Sequence, residues 1–314
     1  MQHNHNHSDN HDAHHHGHHA GHHHHHADPA QMGTIYTVAI VINLLFVAAE
    51  AVAGIVGHSM GLLSDAGHNL SDVFCLLLAM VALKLSHTRA TKRFTYGYRK
   101  SSVLISLLNA IILLVAVGMI IVESIHKFTD PSPVSGAAVS WTAGAGIVVN
   151  GLSTWLLHLK KGKDLNAQGA FLHMLADTLV SIGVVVAGVI ISLTGIYIID
   201  PIISLIIVVV ILASTWHLLS ASLRLSLDGI PEDIDPDEIE RKILQVPHVE
   251  SLHHVHIWAL STEENALTAH IVVDRPENID EAKHAIREVL AANDIAHATL
   301  EMEHHGEQCT CPCD

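Results

Sequence analysis

Six long apolar runs dominate the first two thirds of the chain, at about 34–56, 62–85, 102–126, 137–158, 168–194 and 198–222. Each is close to the roughly 20 residues that a helix needs to cross the hydrocarbon core of a bilayer. The pattern therefore predicts six transmembrane helices. GHSMG and TGIYIID leave room only for tight hairpins after the first and fifth runs. Beyond Arg224 the period changes. DGIPEDIDPDEIERKILQV reads as an entry turn and an amphipathic helix opened by Asp235-Pro236. VESLHHVHIWAL and ALTAHIVVD alternate apolar with polar residues, as half-buried strands do. ENIDEAKHAIREVLAAN predicts a second helix and HATLEMEH a last strand.

The fold class expected is a membrane all-α domain of six helices over 33–224, followed by a small cytoplasmic α+β domain over 225–305. The order α-β-β-α-β of the second unit suits a ferredoxin-like arrangement, with a core modest enough to gain from dimerisation. Residues 1–32 are too polar to fold alone and predict a disordered arm, and 306–314 form a cysteine-containing tail.

Composition agrees with a bilayer as solvent: 49% of the 314 residues are hydrophobic, 15% charged and only 4% aromatic. A net charge of −15 argues against nucleic acid, which is bound by clustered Lys and Arg. The few cations are placed unevenly. Arg89, Lys92, Arg93, Arg99 and Lys100 follow the second run, and Lys160, Lys161 and Lys163 follow the fourth. By the positive-inside rule both termini are expected in the cytoplasm. The N-terminus lacks the basic stretch and short apolar core of a cleavable signal, and a bacterial inner membrane is the expected location.

Histidine is the anomaly, with 30 residues against 16 Lys plus Arg. Many lie in the arm, where His3, His5, His7, His11, His14–His16, His18, His19 and His22–His26 are spaced by Asn, Asp, Gly and Ala, unlike an unbroken expression tag. More telling are LLSDAGHNLSD in the second run and GAFLHMLAD in the fifth, each holding His-x-x-x-Asp: His68 with Asp72, and His173 with Asp177. Residues four apart stack on one helix face, so each pair projects a nitrogen and a carboxylate together. Two such helices face to face supply four ligands, the number tetrahedral zinc prefers. An intramembrane Asp costs about 2.5–3.5 kcal/mol at a helix centre on insertion scales, so two of them need compensation. Either each pair satisfies itself as an ion pair, or one divalent cation joins all four. Asp65 is a candidate auxiliary ligand or packing residue, and Asn69, Asn109 and Asn150 read as interhelical hydrogen bonders.

GHSMGLLSDAGHNLSD, YGYRKSSVL, GAFLHMLAD, DPIISL and HHVHIWAL together resemble the signature stretches of the cation diffusion facilitator family, over about residues 34–303. The resemblance implies a homodimer of six-helix protomers that exchanges cytoplasmic zinc, with cadmium or cobalt as further cargo, for protons by alternating access. It carries the transport site onto His68, Asp72, His173 and Asp177, a ligand set that the family associates with zinc. It also implies metal sites in the cytoplasmic domain, carried by position onto His253, His270, Glu301 and Glu303. The open alternative there is a set of histidines on a solvated strand surface. By strand alternation, His254 and His256 share a face and His253 points the other way.

Ligand chemistry suggests how a proton gradient is used. A metal-binding imidazole must be neutral, so protons and zinc compete for one nitrogen, and an ordinary histidine titrates near pH ~6.5. Cys309, Cys311 and Cys313 offer soft thiolates in the tail, short of a complete zinc knuckle. The histidine arm is positioned to raise local metal concentration beside the entrance. A membrane metalloenzyme is the weaker alternative, because no His-Glu-x-x-His accompanies the ligands. A non-transporting zinc sensor is another, though no signalling module follows. No enzyme activity is expected.

Overall fold

A computed structural model describes residues 29–56, 60–129, 136–159, 164–196 and 198–304. Of the disordered arm expected over 1–32, residues 1–28 lie outside the described residues, as do the three tail cysteines; residues 29–32 instead open helix α1, where Met32 is buried in the apolar cluster between the helices. Six helices come first: α1 Pro29–Val56, α2 Met60–Ser86, α3 Lys100–Thr129, α4 Gly136–His158, α5 Leu165–Thr194 and α6 Ile199–Ser226. Each matches one predicted run and extends it by up to about five residues, except that α6 starts one residue later than its run, with Ile198 at the N-cap; helices continue past the hydrocarbon-length stretch into their polar flanks. Among the described residues, four of them hold a stretch long and apolar enough to cross a membrane: Gln31–Ala53, Lys100–His126, Leu165–Ala187 and Leu205–Ser226.

The helices pack as a bundle in which α1 lies on α2 and α4, α3 on α6, and α5 on α4 and α6, while α2 also meets α5. Tyr36 and Ala39 of α1, Leu76 and Ala79 of α2, Leu157 of α4 and Ala167, Ala170 and Met174 of α5 form one buried cluster. The alanines matter because, between lipid-solvated helices, close backbone approach replaces the hydrophobic effect as the source of cohesion. Large apolar side chains such as Leu45, Ile55, Val115 and Val209 are instead exposed, as lipid-facing positions should be.

The second unit has α7 Pro236–Leu244, β1 Val249–Ala259, β2 Asn265–Val273, α8 Ile279–Ala291 and β3 Ile295–His304, the predicted order. Asp235 caps α7 as its sequence suggests, accepting from the backbone N–H of Asp237 and Glu238. The sheet order is β1-β2-β3, with β1–β2 antiparallel and β2–β3 parallel. Ile239, Ile243, Leu267, Ile271, Ile286 and Leu290 bury one face of the sheet against α7 and α8. The other face is left open.

Strand β1 departs from simple alternation. His253 pairs with His270 and His256 with Thr268, so one extra residue is accommodated between them, and His254 sits at φ 50°. The cause lies in the apolar pattern, because Leu252, Val255 and Ile257 all pack on the core and cannot do so without a change of phase. This corrects the alternation expected from sequence. His253 and His256 lie on the open face, and His254 occupies the bulge.

The two units are joined through polar contacts. Lys100 Nζ donates to Asp228 Oδ1 at 2.6 Å, to the Leu225 carbonyl at 2.7 Å and to that of Ala259 at 3.1 Å. Arg99 pairs with Glu264. Thr262 donates its hydroxyl to Asp164 Oδ1 at 2.8 Å and its N–H to Ser102 Oγ at 3.1 Å. Two of the cations that set the expected topology thus also bind the α+β unit to the bundle.

Candidate metal centres

The i, i+4 spacing in α5 sets His173 and Asp177 on one face, and the packing of α2 against α5 brings Asp72 to meet them. His173 Nε2 is 2.8 Å from Asp72 Oδ1 and 3.8 Å from Asp177 Oδ2. Asp72 is 0% and His173 3% exposed, and Asp177 is partly buried. One ligand atom from each of the three lies within 4.8 Å of the others, a spacing one cation can span. His68 belongs to the same face of α2, one turn before Asp72, but its side chain and that of Asp65 are outside the described set. Two carboxylates and an imidazole match the borderline donors of zinc-like divalent ions, and the two carboxylate charges would balance a dication in a medium where net charge is costly.

The neighbourhood contains a residue that the sequence patterns did not single out. Glu50 of α1 is 4% exposed and accepts a hydrogen bond from Asn69 Nδ2 at 2.7 Å. Asn69 thus bridges helices as expected, whereas Asn109 is buried with neither end of its amide hydrogen-bonded among the described residues. Glu50 falls near the end of an apolar run, where a single acid is easily read as a flanking residue.

On the open face of the sheet a second cluster forms. His270 Nδ1 is 2.6 Å from Glu303 Oε1, and His253 Nε2 is 3.5 Å from Glu303 Oε2. These three also bring one ligand atom each within 4.8 Å. Glu301, paired with His270 in register, lies outside the trio, with Oε2 3.4 Å from His270 Nε2 and the side chain 67% exposed. The bulge adds His254, whose ring centroid is 5.0 Å from that of His253 and 5.2 Å from that of His270. Sequence alternation placed His254 on the opposite face to His253 and so missed it. Glu303 is 6% exposed, a burial that favours a lasting partner for its charge.

A family described as the cation efflux transmembrane domain matches residues 36–225, more than half of the chain, and one described as the cation efflux protein cytoplasmic domain matches 231–305. The chain belongs to the cation efflux family. Its membership agrees with the resemblance to cation diffusion facilitators and makes it a membrane protein with a cytoplasmic α+β domain. This cation efflux protein is 38% identical to zinc transporter ZitB of Escherichia coli (strain K12), over 84% of this chain and 86% of the relative. It is 34% identical to the metal cation efflux system protein CzcD of Cupriavidus metallidurans, over 89% of each chain. It is 32% identical to the cadmium, cobalt and zinc/H(+)-K(+) antiporter of Bacillus subtilis (strain 168), over 89% of this chain and 91% of the relative. These relatives are transporters and not enzymes.

Proposed function

We propose that this cation efflux protein exports zinc from the cytoplasm in exchange for protons, using His68, Asp72, His173 and Asp177 as a tetrahedral transport site between α2 and α5. The observation that carries this reading is the convergence of Asp72, His173 and Asp177, from two helices, on one buried imidazole nitrogen. The names of the relatives support the cargo, with zinc foremost and cadmium or cobalt beside it, and the name of the Bacillus subtilis antiporter supports ion exchange.

The chemistry runs as a competition. With both imidazoles neutral, four ligands and two negative charges hold one zinc ion. When the site faces a more acidic compartment, protons take the imidazole nitrogens and zinc leaves. The returning site then carries protons inward, and alternating access comes from rearrangement of the bundle around α2 and α5. Six spans, both termini in the cytoplasm, a bacterial inner membrane and a homodimer complete the reading, with the domain limits 33–224 and 225–305. His253, His270 and Glu303, flanked by Glu301 and His254, form a regulatory zinc site on the cytoplasmic domain. The histidine arm and Cys309, Cys311 and Cys313 gather metal near the entrance. Zinc flux into sealed proteoliposomes under an imposed pH gradient tests this reading, and a folded protein that moves no zinc overturns it.

A further inference from the structure

Helix α1 contains one acidic residue, Glu50, within its membrane-length stretch Gln31–Ala53. A carboxyl group there is costly, and it is kept away from solvent and lipid at 4% exposure. One of its contacts is a directional hydrogen bond. Asn69, itself 6% exposed, donates its amide N–H to Glu50 Oε2 at 2.7 Å. Asn69 follows His68 directly and stands three residues before Asp72, so the bond grips the very turn of α2 that offers ligands toward α5.

Further along, α2 is seated by apolar contacts, with Leu76 and Ala79 in the cluster shared with α1, α4 and α5. Such contacts fix the distance between helices but resist sliding and rotation weakly. A directional hydrogen bond from a neighbouring helix fixes both. A carboxylate acceptor makes that bond stronger than a neutral one would.

We infer that Glu50 is a positioning residue for transport: through Asn69 it holds the α2 turn bearing His68 and Asp72 at the rotation and depth that lets them share a cation with His173 and Asp177. The inference rests on the function proposed above. It makes Glu50 part of the apparatus that sets zinc affinity although it is not a ligand.

Removing a partner that orients a metal ligand typically weakens metal binding by about 10- to 100-fold. Glu50→Ala and Asn69→Ala are therefore each expected to raise the zinc concentration for half-maximal flux in proteoliposomes by about tenfold or more, with a smaller change in maximal rate. Because both act through one bond, the double variant should be little worse than the poorer single one. Glu50→Gln keeps an acceptor for Asn69 and should recover most of the affinity. Folding is checked for each variant by gel filtration and thermal unfolding in detergent. Should Glu50→Ala not fold, the comparison of Asn69→Ala with Glu50→Gln decides alone. Wild-type half-saturation in the folded single variants, additive losses in the double variant, or a Gln variant as poor as Ala would each overturn the inference. If wild type moves zinc and the variants match it, only this inference falls. If wild type moves none, the transport reading falls and takes the inference with it.

Discussion

Asp72 and His173 are 101 residues apart in sequence, yet Oδ1 of one lies 2.8 Å from Nε2 of the other, joining α2 to α5. The same two atoms are those a bound cation would use, so loading the site replaces this contact and does not simply add to it. Under the proposed exchange, a helix pair held together by either a proton or a metal would have two ways of being satisfied. That is the minimum an exchanger needs, since a site with one satisfied state would bind its cargo and keep it.

The imidazoles should set the pH range of exchange. In wild type, zinc binding is expected to weaken as pH falls, because a proton on an imidazole nitrogen excludes the metal from it. The His68→Asp/His173→Asp variant should move this weakening downward, toward the carboxylate range. Zinc flux measured against pH on both sides of the vesicle checks this, and an unchanged profile would remove the histidines from the proton path.

The cytoplasmic cluster should bind zinc on its own. In an Asp72→Ala/Asp177→Ala background that also lacks residues 2–26 and carries Cys309→Ser, Cys311→Ser and Cys313→Ser, one high-affinity zinc per chain is expected to remain. Adding His270→Ala should weaken that binding by at least about tenfold, because His270 contacts both Glu303 and Glu301. Isothermal titration of the purified protein measures it. Loss of all binding in the background alone would mean that the sheet histidines are merely solvated.

Docking of the β1–β2 hairpin on the bundle should depend on pH. Burial, then the carboxylates of Asp164 and Glu264, push the Glu263 pKa from 4.5 up to about 7, against a lowering by His87. Its folded pKa lies above its unfolded one, so the folded state is favoured when Glu263 is protonated. That contribution is whole below pH about 4.5 and is lost as pH rises through about 7. Glu263→Gln, which stays neutral, should flatten the fall in thermal stability between about pH 4.5 and about pH 7. Parallel melting curves for the two proteins at each pH would contradict the assignment.

Much of this molecule is written in periodicities. Apolar runs of bilayer length became helices, Asp235-Pro236 began α7, and the two His-x-x-x-Asp pairs stood out because intramembrane acids are rare and costly. The convergence of Asp72 with His173 and Asp177 was legible for the same reason, as two polar faces in a lipid-solvated bundle must meet. What escaped the sequence depends on phase and on partners distant along the chain. His254 joined the cytoplasmic cluster because Leu252, Val255 and Ile257 force an extra residue into β1. Glu50 became meaningful only when Asn69 was seen bonded to it. The role of Thr262 in joining the two units needed Ser102 and Asp164 to be placed beside it.

The most direct test compares zinc flux into proteoliposomes, under an imposed pH gradient, for wild type, Asp72→Ala and Asp177→Ala. Each variant removes one ligand and one balancing charge. Replacing even an outer partner of a metal ligand costs about 10- to 100-fold, so each variant should lose about 100-fold or more in flux at limiting zinc. Wild type should accumulate zinc against its gradient and lose that ability when the pH gradient is collapsed. Flux in either variant at the wild-type level would place the cargo's path elsewhere in the bundle.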